Sequence, residues 1–327
     1  MKNEITSHEI LNKDLQIFRN KHFIRYFLDL RESKSKYTSR SYERDIKDFF
    51  KVSNIEEIAL DDMVKVNIFH AQEFILELKE KGLSSATINR KISSLSALYK
   101  WLMKYVDNYS GFQIIKFNPF SNLKEEKPTI NNSETEFLTE EECKILLNSI
   151  DTSTVLGLRN KAILSLALTT ALRKSEIINI KLKDIVAYGQ YDVVKVIRKG
   201  NKADMVKLQP KVKELIVEYI KTTGRTSEDN KEDYLFIGHS LNGQNREKLD
   251  PSTLNYMIKR VCKEAKINKK LRVHSTRHTA ITIAITKGST IEKVREFAAH
   301  KSISTTNRYI HSIDKLKNNA GDTIDLL

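Results

Sequence analysis

Four short segments in the second half of the chain gather side chains able to act on a phosphate. They are ALRKSE (Ala171–Glu176), IRKGNK (Ile197–Lys202), HSTRH (His274–His278) and AAHKSISTTNRYIH (Ala298–His311). A guanidinium grips two phosphate oxygens with paired hydrogen bonds, and two of them offset the extra charge of a phosphorane-like transition state. A phenol, with an ordinary pKa of about 10, becomes a nucleophile as it loses its proton. Each residue alone has a plainer reading. A tyrosine on a helix is usually core packing, and a lysine in a turn is usually just exposed. Arg173 alone reads as a cap or solvated cation, and His300 alone as a surface or satisfied core histidine. His274 and His278, at i and i+4, have the spacing of a zinc pair. Ser275 stands where a metalloprotease has glutamate, however, and no third ligand is evident, so no metal is expected.

Taken together, the order and spacing of the segments resemble the tyrosine recombinase family, also called the phage integrase family. That family shows arginine in a GLR-x-S-E box, lysine on a hairpin, H-x-x-R-H, then L-G-H followed nine residues later by tyrosine. Carried over, the pattern gives Arg173, Lys199, His274, Arg277, His300 and Tyr309, with His300 and Tyr309 nine apart. Glu176 falls on the family's supporting acidic position. In the first half, YTSRSYERDIKDFF, LSSATINRKISSLSALYKWL and Asn118-Pro119 are similar to that family's core-binding domain. The departures are modest. Ala171 and Ala299 stand where glycine is usual, and Thr276 replaces a common leucine.

The resemblance implies that Tyr309 attacks a backbone phosphate clamped by Arg173 and Arg277. His274 serves as general base or orients the phosphate, Lys199 protonates the departing 5′ oxygen, and His300 hydrogen-bonds the phosphate. The 3′-phosphotyrosyl link keeps the energy of the broken bond, so religation calls for no ATP, metal or other cofactor. The implied fold is mainly α with a small β-sheet. A helical, SAM-like core-binding domain and an α+β catalytic domain would form a C-shaped clamp on DNA. The implied partners are double-stranded DNA carrying specific recombination sites and three further copies in a homo-tetramer that passes through a Holliday junction, acting alone or with an accessory recombinase or motor protein. The segment ahead of the core-binding region is too short for the arm-binding domain of many integrases, which favours an Xer-like enzyme. Two rivals share parts of this description: a type IB topoisomerase, and a DNA-binding protein without catalysis. The tail Ser312–Leu327 carries apolar residues suited to docking on a neighbouring protomer, as is common in the family.

Charge agrees with a polyanion partner. Of the net +14, residues 251–310 hold 13 basic and 3 acidic side chains, whereas residues 1–130 hold 22 and 18. Such a concentration suits nucleic acid or an acidic membrane surface. With 40% hydrophobic and 30% charged residues and only 10 Gly and 4 Pro, the chain reads as soluble and globular. MKNEITSHEI offers no signal-peptide core, and apolar Ala162–Leu172 is far shorter than the roughly 20 residues of a membrane span. Cys143 and Cys262 read as buried thiols in a reducing cytoplasm, which with DNA as partner places the protein near the nucleoid.

The elements that must position these residues follow from periodicity. Tyr42, Ile46, Phe49 and Phe50 share a helical face, as do Ala71, Phe74, Ile75 and Leu78 ahead of Gly82. A helix over Ser85–Lys104 lines up Ile88, Ile92, Leu95, Tyr99 and Leu102. Its other side shows Arg90, Ser93, Ser94, Ala97 and Lys104: either a DNA-facing surface, small residues between cations, or an ordinary solvated face. Polar Lys124–Thr135 predicts a linker, giving a DNA-binding domain over 1–123, a linker over 124–135 and a catalytic domain over 136–327. In the second half Thr139–Glu142 predicts a capping box, Ala162–Leu172 a buried helix, and Asp192–Ile197 with Met205–Leu208 a hairpin turning at Lys199–Asn201. Helices are expected over Lys211–Thr222, from Asp250 to Lys266 and over Ser275–Lys287 ending at Gly288, then one opened by a capping box at Ser289–Glu292.

Overall fold

Three polar caps and a glycine stop set out the helices of the first unit. The computed structural model describes residues 21–33, 35–105, 113, 115–123, 125–130, 135–198, 200–226, 228, 230–240, 243–307 and 309. It divides into two units, Met1–Ser133 and Glu134–Leu327. Lys199 and the tail Ser312–Leu327 lie outside the described residues. The described helices of the first unit are α1 (Phe23–Glu32), α2 (Lys36–Phe50), α3 (Leu60–Lys65), α4 (Ile68–Glu80) and α5 (Ser85–Leu102). Ser35, Asn67 and Ser84 accept main-chain N–H groups in the first turns of α2, α4 and α5. Gly82, with φ +68°, follows the end of α4. The predicted stripe Ile88, Ile92, Leu95, Tyr99 and Leu102 is buried together with Ile46, Ala71, Phe74, Ile75 and Leu78.

The other side of α5 differs from the expectation. Ser94 is 1% exposed and donates to Asp45 at 2.7 Å, so it faces the protein rather than an open surface. Arg90 donates to Ser41 at 2.7 Å and pairs with Asp45, and Lys91 is buried against Asp45 and Asp48. The cause is Asp45, a fully buried carboxylate on α2 that demands donors, which α5 supplies. Ser93 and Lys104 are exposed. Part of the expected linker is also tied down: Glu126 accepts from Gln72 at 2.8 Å and Pro128 from Asn89 at 2.9 Å.

The second unit begins with α6 (Glu140–Asn148), opened by the predicted capping box between Thr139 and Glu142. Next comes α7 (Val155–Thr170), buried around most of its circumference through Leu158, Ala162, Ile163, Leu164 and Leu166. A short α8 (Lys174–Ile177) leads into an antiparallel sheet of β1 (Ile185–Tyr188), β2 (Tyr191–Arg198) and β3 (Lys202–Lys207), in that order. The β2–β3 register pairs Val196 with Asp204 and Arg198 with Lys202, and Gly200 and Asn201 turn the chain at φ +89° and +58°.

After the sheet come α9 (Pro210–Thr222), the hairpin β4 (Ile237–Ser240) with β5 (Gly243–Lys248), α10 (Pro251–Glu264), α11 (Val273–Thr286) and α12 (Ile291–Phe297). Asp250 caps α10 through Ser252 N–H, as predicted. Helix α11 starts two residues before the expected Ser275, which puts His274 in its first turn. The cap of α12 is Thr290, whose hydroxyl accepts from Lys293 N–H; Ser289 instead belongs to the preceding turn, its N–H bonded to Ala284. Strand β1 and the β4–β5 hairpin carry no periodic signal in the sequence and come from the structure alone. Both cysteines are buried, and burial pushes the Cys143 thiol up to about 12. Among the described residues no helix is long and apolar enough to cross a membrane.

Candidate active site

Helix α7 ends at Ala171, whose left-handed φ of +50° breaks the helix and turns the chain so that Arg173 becomes the cap of α8. Glu176, 4% exposed, closes the cap: it accepts from Arg173 N–H at 2.7 Å and from Arg173 Nη1 at 2.8 Å. Burial opposes its charge, but the hydrogen bonds from the Arg173 main chain and side chain, with the field of Arg198, hold it below the usual carboxylate range.

Arg277 projects from α11 and is 2% exposed. Its Nη1 donates to the Ala171 carbonyl at 2.5 Å and its Nη2 to the Ala298 carbonyl. Arg173 Nη2 donates to the next carbonyl, Ala299, at 3.3 Å. Two guanidiniums therefore hold consecutive carbonyls just ahead of His300. Burial, then the neighbouring Arg173, lowers Arg277 to about 10, so it stays charged at neutral pH.

The same positive field acts on the imidazoles. Burial first, then Arg277 and Arg173, pushes His300 down to about 4 and lowers His274 as well. Both rings are neutral near pH 7 and can accept a proton or a hydrogen bond. His300 Nδ1 lies 3.0 Å from Thr306 Oγ1. The half-buried Tyr309 packs against a small cluster of Ala171, Ala280, Ile281, Val294 and Ala298. Its ring centroid is 5.9 Å from that of His300 and 4.4 Å from that of His278, which stacks in turn on Phe137 at 6.0 Å.

The structure thus brings Arg173, Glu176, His274, Arg277, His300 and Tyr309 into one neighbourhood. The candidate DNA contacts Arg90, Ser93, Ser94 and Lys104 belong to the other unit. Sequence reasoning missed His278 beside Tyr309 and Arg198, whose Nη1 donates to Glu176 at 2.8 Å. His278 shows in the sequence as the last residue of the H-x-x-R-H segment and through its zinc-like spacing from His274, neither of which sets it beside Tyr309. Arg198 reads there as any strand residue beside a turn. Among the described residues no group of three or more His, Cys, Asp or Glu could hold a metal.

Ala299, like Ala171, is left-handed, at φ +46°. A side chain in that region costs about 1 kcal/mol relative to glycine. Ala299→Gly, where the methyl is only partly buried, should therefore raise stability by about 0.5–1 kcal/mol in urea unfolding, whereas at Ala171 loss of a fully buried methyl offsets the gain. An unchanged or lower midpoint for Ala299→Gly would contradict strain at that residue.

A buried arginine and a partly exposed one thus stand beside a half-buried tyrosine and neutral imidazoles, groups chemically able to grip and attack a phosphate. The chain belongs to the phage integrase family: that family matches residues 136–315, and the phage integrase N-terminal SAM-like domain matches residues 23–105. It is a tyrosine site-specific recombinase. The tyrosine recombinase XerC of Bacillus pumilus is 30% identical over 301 residues, covering 90% of this chain and 92% of that protein. The XerH site-specific recombinase in a post-cleavage complex with palindromic difH substrate matches with a TM-score of 0.71 at 18% identity, over 99% of this chain and 91% of that one. The Tn1549 transposon integrase in complex with circular intermediate DNA gives 0.65 at 20%, over 88% and 93%. At these identities the two solved structures speak for the fold.

Proposed function

We propose that Tyr309 is the nucleophile of this recombinase and that Arg173 and Arg277 clamp the phosphate it attacks. The tyrosine oxygen forms a bond to phosphorus as the bond from phosphorus to the 5′ oxygen breaks, leaving a 3′-phosphotyrosyl link. Neutral His274 takes the phenol proton or orients the phosphate, and His300 hydrogen-bonds the nonbridging oxygens. Lys199 gives its proton to the departing 5′ oxygen. Glu176 touches no reacting atom and acts by fixing Arg173. The reverse attack by a 5′ hydroxyl on the phosphotyrosine rejoins the strand without ATP. The observation that carries this reading is the pair of guanidiniums on the adjacent carbonyls of Ala298 and Ala299, beside His300 and Tyr309.

Residues 1–123 serve as the DNA-binding domain, 124–135 as the linker and 136–327 as the catalytic domain. Ser93 and the exposed part of Arg90 on α5, with Lys104 just after it, are the groups available to a DNA backbone, with Ser94 acting from inside through Asp45. Four copies assemble on two duplexes and exchange strands through a Holliday junction in the cytoplasm, alone or with an accessory recombinase or motor protein as activator. Such strand exchange serves integration, excision or the resolution of DNA dimers.

Supercoiled plasmids carrying paired candidate sites, taken from the DNA flanking the gene, test the reading in one gel. Recombinant products and a protein–DNA covalent complex are expected. Relaxation without recombinants would point to a topoisomerase, and binding without any covalent complex to a non-catalytic protein.

A further inference from the structure

Strand β2 alternates inward Val194, Val196 and Arg198 with outward Lys195 and Ile197. The last inward position thus holds a charge where the pattern calls for an apolar group. Arg198 is 8% exposed, and a guanidinium so far from water must have partners. It has two. Its Nε donates across the hairpin to Asp204 at 2.9 Å, and its Nη1 donates to Glu176 at 2.8 Å. Glu176 in turn holds the main chain and side chain of Arg173. A continuous chain of charge-assisted hydrogen bonds therefore runs from Asp204 on β3 through Arg198 and Glu176 to Arg173. The planar fork of an arginine can serve two carboxylates in fixed directions, which a lysine ammonium does not do.

Lys199 follows Arg198 directly. We infer that Arg198 is a positioning residue that docks the β2–β3 hairpin, and Lys199 with it, onto the same carboxylate that orients Arg173. The inference rests on the reading of Lys199 as the acid for the 5′ oxygen. One buried carboxylate then sets two parts of the reaction in common register: the clamp on the nonbridging oxygens and the proton for the leaving group.

The test compares single-turnover cleavage of ordinary DNA with cleavage of DNA whose bridging 5′ oxygen is sulfur, a leaving group that scarcely needs a proton. Full-length Lys199→Ala, Arg198→Met, Asp204→Asn and Arg173→Lys are assayed side by side. Lys199→Ala should be slowed by about a hundredfold or more on ordinary DNA and largely rescued by sulfur. Arg198→Met should follow it, slowed at least about tenfold on ordinary DNA and restored to within about threefold of wild type on sulfur. Arg173→Lys, a clamp defect, should stay slow on both. Asp204 is 41% exposed, so Asp204→Asn keeps the fold and should show a smaller defect of the same kind. Arg198→Met slowed equally on both substrates, or not slowed at all, overturns the inference.

Amide hydrogen exchange separates that failure from failure of the Lys199 reading. In Arg198→Met the amides of Ala203–Val206 should exchange at least about tenfold faster while those of α7 do not change. If Lys199→Ala shows no sulfur rescue but exchange loosens the hairpin as expected, the docking stands and the acid is another group, with Lys202 next. If exchange is unaltered, Arg198 does not dock the hairpin, whichever residue is the acid.

Discussion

Tyr309→Phe is expected to abolish strand cleavage while leaving DNA binding within about threefold of wild type. The substitution removes one oxygen and keeps the ring that packs against Ala171, Ala280, Ile281, Val294 and Ala298. The clamp keeps its own anchors: Arg277 is held by the Ala171 and Ala298 carbonyls and Arg173 by Glu176 and Ala299. A nicked duplex that loses its short 5′ fragment on cleavage traps the covalent product, and a band shift on intact duplex reads binding. Residual cleavage above about one part in a thousand would mean that another group can attack.

Arg277→Lys carries the second-largest expected effect, a fall in cleavage rate of about two to three powers of ten. Arg277 has to hold two carbonyls and still present its charge to a phosphate, which takes a rigid fork. A lysine reaches one carbonyl as a point charge, leaving the other, buried acceptor unmatched at about 1–3 kcal/mol. The change should therefore lower stability as well as rate, and an unfolding curve measured beside the kinetics separates the two. Arg173→Lys should lose a similar factor in rate with less loss of stability, since Arg173 is more exposed and Glu176 retains Arg198. A cleavage rate within about threefold of wild type in a folded Arg277→Lys protein would remove that residue from the clamp.

Much of the fold is legible in the sequence because local signals agree with one another. The stripe from Ile88 to Leu102 is periodic, preceded by Ser84 and set against an equally periodic partner helix. The Thr139 box and the Asp250-Pro251 start are complete in sequence and cap real helices. What is not legible depends on contacts distant in sequence. Ser94 reads as a small exposed residue until Asp45, 49 positions earlier, is found buried beneath it. Strand β1 has only four residues, and β5, Gly243–Lys248, is polar throughout, so neither shows an alternation to read. At Ser289 two candidate caps stand side by side, and Gly288 at φ +84° leaves the first of them bonded back to α11.

The candidate site shows the same division. The motif spacing picks out the candidate groups, but their arrangement comes from two left-handed alanines that no periodicity reveals. Ala171 and Ala299 turn three carbonyls, their own and that of Ala298, towards two arginines more than a hundred residues apart. Arg198 is the plainest omission. Its inward direction follows from the alternation of β2, yet its purpose emerges only with Glu176 across from it.

The most direct measurement of the central claim is the identity of the DNA-linked residue. Wild-type protein is trapped on the nicked suicide duplex, digested with trypsin and nuclease, and the peptide carrying a nucleotide phosphate is sequenced by mass spectrometry. The adduct is expected on the peptide Tyr309–Lys315, joined to a 3′ phosphate, with a free 5′ hydroxyl on the released strand and no added metal. An adduct on any other residue, a link to the 5′ phosphate, or cleavage that leaves no protein on the DNA would contradict it.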